Sequence, residues 1–444
     1  MTDDCVLLIH PQSGCWVMVR PEAVEAVRAF LAACESGELD DLGGSGRFPL
    51  FDQLRNCGLI QEQLSAAACQ GGCSVSQGAL NTLILKLVGY CDLACRYCYD
   101  YHAATYSRRL SDDVARRAIV DSLGRSGPLL QILFHGGEPL LAFDQIRSLV
   151  PFAQDAARAA GRTVKFTVQT NGRHFLPETI DFLLDNRVAI GVSLDGPPEV
   201  NDRNRVDHAG RGHFAEIETA LRSDPRLLAA VGVLTTVTRT NATRLLETAK
   251  YFRDLGIKRW DTTLFQPLGR ATGASAQFAP PTDAIIRSYL ALFDAVEAGD
   301  FDGMAVLPVL RYVRNVLTTE RRSMCLRDGC GAARDLVSIS VDGAIQSCDC
   351  IGDPTLSLGR MDREGIGEAL ESPVAETIRS RSTSALSPCR ECDWRSFCGG
   401  TCLARSGLKQ VDEQECQIAL TVFPEIFRRL AQSDRLKRYA RLFP

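Results

Sequence analysis

Three cysteines, Cys91, Cys95 and Cys98, follow one another with the spacing C-x3-C-x2-C, so a single short loop can bring three thiolates to one metal centre. Three thiolates can hold three irons of a cubane [4Fe–4S] cluster and leave the fourth iron open to a small molecule, whereas a closed structural zinc site takes four protein ligands. With cysteine at about 4% of residues, this spacing is expected by chance roughly 0.03 times in the chain. A second group lies toward the C-terminus: Cys325, Cys330, Cys348 and Cys350, then Cys389-x2-Cys392-x5-Cys398-x3-Cys402, then Cys416. The run of four has a chance expectation of about 0.001. A zinc ribbon is the rival reading for this second group, because C-x2-C pairs serve both metals. Purified without oxygen, an iron–sulfur protein would be brown and a zinc protein colourless.

The 18 cysteines need such an explanation. The N-terminus MTDDCVLLIHP opens on two acids where an export signal needs basic residues, so the chain reads as cytoplasmic, where a disulfide framework is disfavoured. No cysteine falls between Cys98 and Cys325, so thiols are concentrated rather than scattered. Cys5, Cys15, Cys34 and Cys57 sit in apolar runs and read as core residues. Cys69 and Cys73 lack a third partner and are assigned no role. Lys and Arg against Asp and Glu give 50 − 54 = −4, which argues against nucleic acid or an anionic membrane as the main partner. No apolar run approaches the roughly 18 residues of a membrane span.

These residues must be positioned by a chain of 444 residues, long enough for about two to four domains. Residues 1–78 read as a small α+β module: two β-like runs around the turn PQSG, a helix opening at Pro21, the loop LGGSG, and a second amphipathic run, FPLFDQLRNCGLI. Residues 79–282 alternate strands and helices. The predicted strands are 82–90, 129–137, 163–172, 188–196, 230–238 and 257–267, with helical runs at 111–125, 143–161, 177–186, 212–223 and 241–256. Six β-α repeats imply an α/β fold with a parallel sheet and helices outside, a partial (β/α)6 barrel, whose active site belongs at the strands' C-terminal ends. The near-continuous apolar strands suggest burial on both faces. Residues 269–282 are small and Pro-rich and read as a linker. Residues 283–318 read as helical, and the remaining tail to 444 as short runs and turns with little periodicity.

The polar motifs all stand at strand ends. Gly136-Gly137-Glu138-Pro139 follows the second strand, where paired glycines allow close backbone approach and Pro139 biases Glu138 to an extended conformation. Thr170-Asn171-Gly172 follows the third. Ser193-Leu194-Asp195-Gly196-Pro197 follows the fourth, with Asn201-Asp202-Arg203-Asn204-Arg205 close behind. Taken alone, such Gly turns are weak signals. His135 precedes the Gly pair and reads equally as a ligand contact or a packed strand-end residue. Asp349 directly follows Cys348 and could accept a proton beside a redox centre; a solvated acid is the plainer reading.

Together these motifs resemble the radical S-adenosylmethionine (SAM) enzymes over residues 82–267, and the tail resembles the SPASM auxiliary-cluster extension of that family. The resemblance implies SAM and three [4Fe–4S] clusters, one at Cys91, Cys95 and Cys98. It implies that Gly136, Gly137, Glu138 and Pro139 receive the SAM ammonium group. Thr170, Asn171, Ser193 and Asp195 would contact ribose and carboxylate, with Arg205 the candidate for the carboxylate and Tyr97 packing on adenine. One auxiliary cluster would take Cys325, Cys330, Cys348 and Cys402, with Cys350 competing for a place; the other would take Cys389, Cys392, Cys398 and Cys416. The first 78 residues resemble, loosely, the winged-helix-like, PqqD-like element of peptide maturases, which binds a leader peptide by strand addition; a structural cap is the alternative.

The activity implied is hydrogen-atom abstraction by a 5′-deoxyadenosyl radical from a peptide or protein substrate, with an auxiliary cluster taking the electron and Asp349 the proton. Thioether or carbon–carbon crosslinking of a ribosomally made peptide is favoured, because the N-terminal module suits a leader. Formylglycine formation in a sulfatase and epimerisation are the alternatives, and a non-catalytic iron–sulfur scaffold is the reading from another class. The expected electron donor is a ferredoxin or flavodoxin.

Overall fold

The computed structural model describes residues 5–10, 14–36, 79–318 and 323–443. Strands Val6–Ile9 (β1) and Trp16–Val19 (β2) pair antiparallel, with Val6 opposite Val19 and Ile9 opposite Trp16. Helix Pro21–Ser36 follows, with Pro21 at its first position, where a missing N–H costs nothing. The second predicted helical run, the loop before it, and Cys57, Cys69 and Cys73 lie outside the described residues. The hairpin docks on the C-terminal half of the chain. Trp16 Nε1 donates to the Val316 carbonyl at 2.8 Å, and its ring meets Phe427 edge-on at 5.0 Å.

All six predicted strands form: Leu80–Lys86 (β3), Ser126–His135 (β4), Thr163–Thr170 (β5), Ala189–Ser193 (β6), Val231–Val237 (β7) and Arg259–Leu264 (β8). They lie parallel in chain order, joined through helices Asp112–Arg125, Phe143–Ala159, Pro177–Asp185, Phe214–Ser223 and Leu245–Leu255. Local signals set the boundaries. Ser111 caps the first helix by accepting from Val114 N, and Gly256 ends the last with φ of 104°.

Two features depart from the sequence reading. The sheet does not stop at six strands. Ala305–Val306 (β9) adds beyond β8, and on the other side Leu336–Ile339 (β10) pairs parallel with β3, followed antiparallel by Ala344–Gln346 (β11) and Ser357–Arg360 (β12). The result is an open ten-stranded sheet, not a closed barrel, onto which the cysteine-rich region is built directly. The tail is also more regular than expected. Helix Glu413–Gln432 runs 20 residues through Pro424 and buries Ile418, Val422, Phe423, Ile426, Phe427 and Leu430, an i, i+4, i+5, i+8 stripe legible in the sequence but overlooked beside the cysteines.

The barrel strands are not apolar on both faces. Along β7, Val231, Val233 and Val237 are buried, while the alternate residues Leu234 and Thr236 line a cavity. Leu133, His135, Gln169 and Ser193 from β4, β5 and β6 line the same cavity. Along β5 to β7, period-two alternation therefore sets a hydrophobic layer under the helices against a cavity-facing row of mixed polar and apolar residues.

Candidate active site

The loop carrying Cys91, Cys95 and Cys98 leaves β3 and is clamped by the segment that follows β6. Ala94 N donates to the Val206 carbonyl at 2.7 Å and Arg96 N to the Asn204 carbonyl at 2.9 Å. On the other side Arg270 N donates to the Cys98 carbonyl at 2.9 Å. The loop's thiols are buried or half-buried and none is in a disulfide. Burial first, and then the neighbouring Cys95, push the Cys98 thiol up to about 12; burial also raises Cys91, with Glu138 and Cys95 adding repulsion. Protons are hard to remove here unless a cation replaces them. An iron centre does that, so the donor set fits a thiolate-bound cluster. Leu93 N at 3.4 Å and Asn171 Nδ2 at 3.7 Å point at Cys91 Sγ, the N–H donors that tune a sulfur ligand.

Facing the thiols is a cavity of about 290 Å³, at the lower end of the range for small-molecule sites. Gly137 forms part of its wall with φ of 51°, and a Cβ there would stand 2.1 Å from the Tyr90 carbonyl oxygen; one on Gly136 would stand 2.7 Å from Lys86 Cα. The paired glycines let this turn press against β3 and the cysteine loop. Behind them Pro139 is buried at the start of a single 3-10 turn. Glu138 is fully buried and held by Thr170 Oγ1 at 2.7 Å, Asn171 N at 2.7 Å and Leu140 N at 3.0 Å. Burial nevertheless pulls its carboxyl upward, and among the described residues no lysine or arginine pairs with it. A buried carboxylate with fixed donors and no lysine or arginine partner suits a ligand ammonium group.

Across the cavity Arg205, buried, donates from Nη1 to the Tyr97 hydroxyl at 3.1 Å, and Tyr97 donates to Asp195 Oδ2 at 2.5 Å. Among the described residues Arg205 Nε, buried, has no partner, so the guanidinium retains a donor for an anion. Its charge also acts on Cys95. Tyr97 packs its ring against Phe278 at 6.5 Å while still facing the cavity. Ser193 lines the wall and accepts from Gln169 Nε2 at 2.8 Å. Asn171 reaches from the cavity wall to Asp92 Oδ1 at 2.7 Å, and Asp92 is tied to Arg173 as well.

Asp349 closes the cavity from the C-terminal side. It accepts from the Tyr99 hydroxyl at 2.8 Å, and the Tyr99 oxygen also lies 3.4 Å from His135 Nε2. Lys86 Nζ donates to the Asp349 carbonyl at 3.1 Å and pairs with Asp100, whose other oxygen accepts from Gly137 N at 3.2 Å. Burial works to raise the Asp349 carboxyl, but His135, Lys86 and the Tyr99 bond outweigh it and hold the group below its ordinary value. Cys348 and Cys350 flank it, with the three ligand atoms within 4.8 Å of one another. The sequence reading missed Lys86, Tyr99, Asp100, Gln169 and Arg270. Tyr99 and Asp100 immediately follow Cys98, which was the available signal; Lys86 lies on an otherwise apolar strand and gave none.

The remaining cysteines fall into two neighbourhoods. Although Cys325 is exposed as a residue, the chain around its sulfur desolvates it and pushes it up to about 12, with Cys330 and Cys348 adding repulsion. Cys402 is raised by burial and feels Cys325, Cys348 and Cys330. Burial and then Cys392 and Cys416 push Cys389 up to about 11, and Cys398 feels both Cys389 and Cys416. Cys350 adjoins Cys348 and Cys402 but also lines the cavity with Cys91, Cys95 and Cys98.

A sheet of β-α repeats with a three-thiol loop at its C-terminal edge, facing a glycine-walled cavity, defines the radical SAM class. Residues 85–269 match the Radical SAM superfamily, and residues 330–393 match the SPASM iron–sulfur cluster-binding domain. The chain is a radical SAM enzyme with a SPASM region, and its cofactors are SAM, the [4Fe–4S] cluster that binds it, and auxiliary iron–sulfur clusters. It is similar to the cysteine-type anaerobic sulfatase-maturating enzyme of Clostridium perfringens, at 25% identity over 358 residues, 78% of this chain and 95% of that one. It is also similar to the serine-type enzyme of Bacteroides thetaiotaomicron, at 24% over 344 residues, 72% and 82% of the two chains. Among solved structures, anSMEcpe with bound AdoMet superposes with a TM-score of 0.70 at 21% identity, over 80% of this chain and 98% of that one. Streptococcus suis SuiB bound to its precursor peptide SuiA superposes with a TM-score of 0.58 at 15% identity, over 93% and 99%. Among the described residues no helix is long and apolar enough to cross a membrane.

Proposed function

We propose that this chain is a peptide maturase that removes a hydrogen atom from its substrate and oxidises the resulting radical, closing a thioether or carbon–carbon crosslink in a ribosomally made precursor peptide. The observation that supports an oxidation step, in a crosslinking or a formylglycine-forming enzyme alike, is the position of Asp349, in the wall of the cavity and between two thiols of the tail; the preference for a crosslink rests on the N-terminal hairpin. When bound, SAM and its cluster supply a carbon-centred radical able to attack an unactivated C–H bond. In this reading Cys91, Cys95 and Cys98 hold the cluster. Gly136, Gly137, Glu138 and Pro139 seat the SAM ammonium group, and Arg205 takes its carboxylate. Thr170, Asn171, Ser193, Asp195 and Tyr97 line the rest of the ligand. Tyr99 holds the Asp349 carboxylate toward the cavity, where it accepts the proton the substrate loses on oxidation. Cys325, Cys330, Cys348 and Cys402 would hold one auxiliary cluster, which when bound would supply an electron acceptor, and Cys389, Cys392, Cys398 and Cys416 would hold the second.

In this reading the hairpin of β1 and β2 opens a recognition unit, residues 1–78, ahead of the radical SAM region at 79–282 and the SPASM region at 283–444. It supports a leader-binding role, and the likeness to SuiB takes in more of the chain than the likeness to anSMEcpe. Formylglycine formation in a sulfatase is the second reading, favoured by the curated relatives, which act as sulfatase-maturating enzymes. Anaerobic co-expression with candidate peptides, followed by tandem mass spectrometry, separates the two. A crosslink removes two hydrogens and suppresses fragmentation between the bridged residues, whereas formylglycine reacts with a hydrazide probe. A hydrazide-reactive product and no bridge would overturn the crosslinking reading.

A further inference from the structure

Helix Leu307–Leu317 and the C-terminal helix Arg435–Leu442 enclose a cleft of about 770 Å³ that shares no lining residue with the catalytic cavity. Leu307 and Leu317 give it an apolar floor. Among the described residues Arg311, Arg314, Lys437 and Arg441 line it against a single acid, Asp261. The C-terminal helix, RLKRYARL, contains four cations and no acid, and buried Leu436 and Tyr439 fix it in place. The Tyr439 hydroxyl donates to the Met304 carbonyl at 2.7 Å. Some of this charge is balanced: Arg311 pairs with Asp261, Arg435 with Asp302 and Lys437 with Asp434. Arg438 and Arg441 are exposed and form no ion pair among the described residues. In a chain of net charge −4 this is a local positive field around an apolar depression.

The wall of the cleft is bonded to both groups of tail cysteines. Asn315, which lines it, donates to the Leu326 carbonyl at 2.7 Å and to the Phe397 carbonyl. Those carbonyls belong to the residues next to Cys325 and Cys398.

We propose that this cleft docks a small acidic electron-transfer protein of the flavin or iron–sulfur class, which delivers electrons to the auxiliary sites. The inference rests on the reading that these cysteines hold clusters. Each encounter moves one electron: the carrier is oxidised by one, the enzyme is reduced by one, and no bond or proton changes place. Complementary charge at a small apolar contact is the expected form of such a transient interface.

The test uses the reconstituted enzyme and a reduced flavodoxin as probe. A Lys437→Glu, Arg438→Glu, Arg441→Glu variant leaves Leu436 and Tyr439 untouched, and Arg438→Ala, Arg441→Ala serves as a milder version. We expect the flavodoxin Kd, measured by titration, and the KM for flavodoxin in SAM cleavage to rise at least about tenfold, the scale on which steering charges act. Binding by the unaltered enzyme should weaken between low and high salt, and the variant's should barely respond. Cleavage driven by dithionite should be the same in all proteins. Unchanged flavodoxin affinity in the folded variants, or loss of precursor-peptide binding instead, would overturn the docking proposal. Absence of dithionite-driven cleavage in the unaltered enzyme would instead overturn the cluster reading beneath it.

Discussion

Replacing Asp349 by Asn removes its capacity to accept a proton while keeping its size. The Tyr99 hydroxyl, now 2.8 Å from Asp349 Oδ2, can still donate to the amide oxygen, and Lys86 bonds the main-chain carbonyl, which is unaltered. The cavity should keep its shape, so SAM binding and cleavage should continue. What is lost is the proton acceptor, worth about 10² to 10⁴ in rate for a positioned general base. At about 1.4 kcal/mol per decade this is roughly 3 to 5 kcal/mol of barrier on the oxidation step alone. The assay counts 5′-deoxyadenosine and modified peptide in the same anaerobic reaction. The unaltered enzyme should produce them in a near-constant ratio, and Asp349→Asn should form deoxyadenosine with modified peptide reduced at least about a hundredfold. If both products fall together, Asp349 acts on SAM binding or folding. If neither falls, the reasoning from its place in the cavity wall is wrong.

Three further predictions follow from particular contacts. Cys325→Ala should lose one cluster's iron on anaerobic reconstitution, whereas Cys350→Ala should keep its full iron content and change only the cavity wall; equal loss in both would make Cys350 a ligand. Gly137→Ala forces a side chain to φ of 51° with its Cβ 2.1 Å from the Tyr90 oxygen. The left-handed backbone alone costs about 1–2 kcal/mol, and the overlap must displace the cysteine loop, so SAM affinity measured by equilibrium dialysis should fall even where the protein still folds. Asp335 pairs with Arg327 in the core just before β10, and its carbonyl receives Asn81 N and Thr82 N of β3. Asp335→Ala should take this carboxylate away from the buried guanidinium, lowering stability by about 3–5 kcal/mol in a denaturant titration.

Much of the fold was legible because the signals for β3 to β8 are local. Each predicted strand is a short apolar run followed by a turn, and each intervening helix carries its own cap or stop. The pairing of β10 with β3 was not legible. Ile339 and Leu85 are neighbours across some 250 positions of chain, and a four-residue strand gives no period with which to foresee a partner. The same distance hid the active-site network: Lys86, Tyr99, His135 and Asp349 come from four separate segments, and although Tyr99, His135 and Asp349 each adjoin a motif, nothing local shows that they meet.

By itself the sequence pointed to the inorganic chemistry, because metal ligation by a loop depends on residue type and short spacing, and Cys91, Cys95 and Cys98 carry both. It also determined the glycine turn, since only residues without a Cβ can stand at Gly136 and Gly137. Tertiary structure alone decided which side chains face one another: that among the described residues no lysine or arginine pairs with buried Glu138, that Arg205 Nε has no partner there, and that Asp349 reaches the cavity. These depend on long-range packing, which brings charged groups out of water beside each other and leaves no trace in any local stretch of chain.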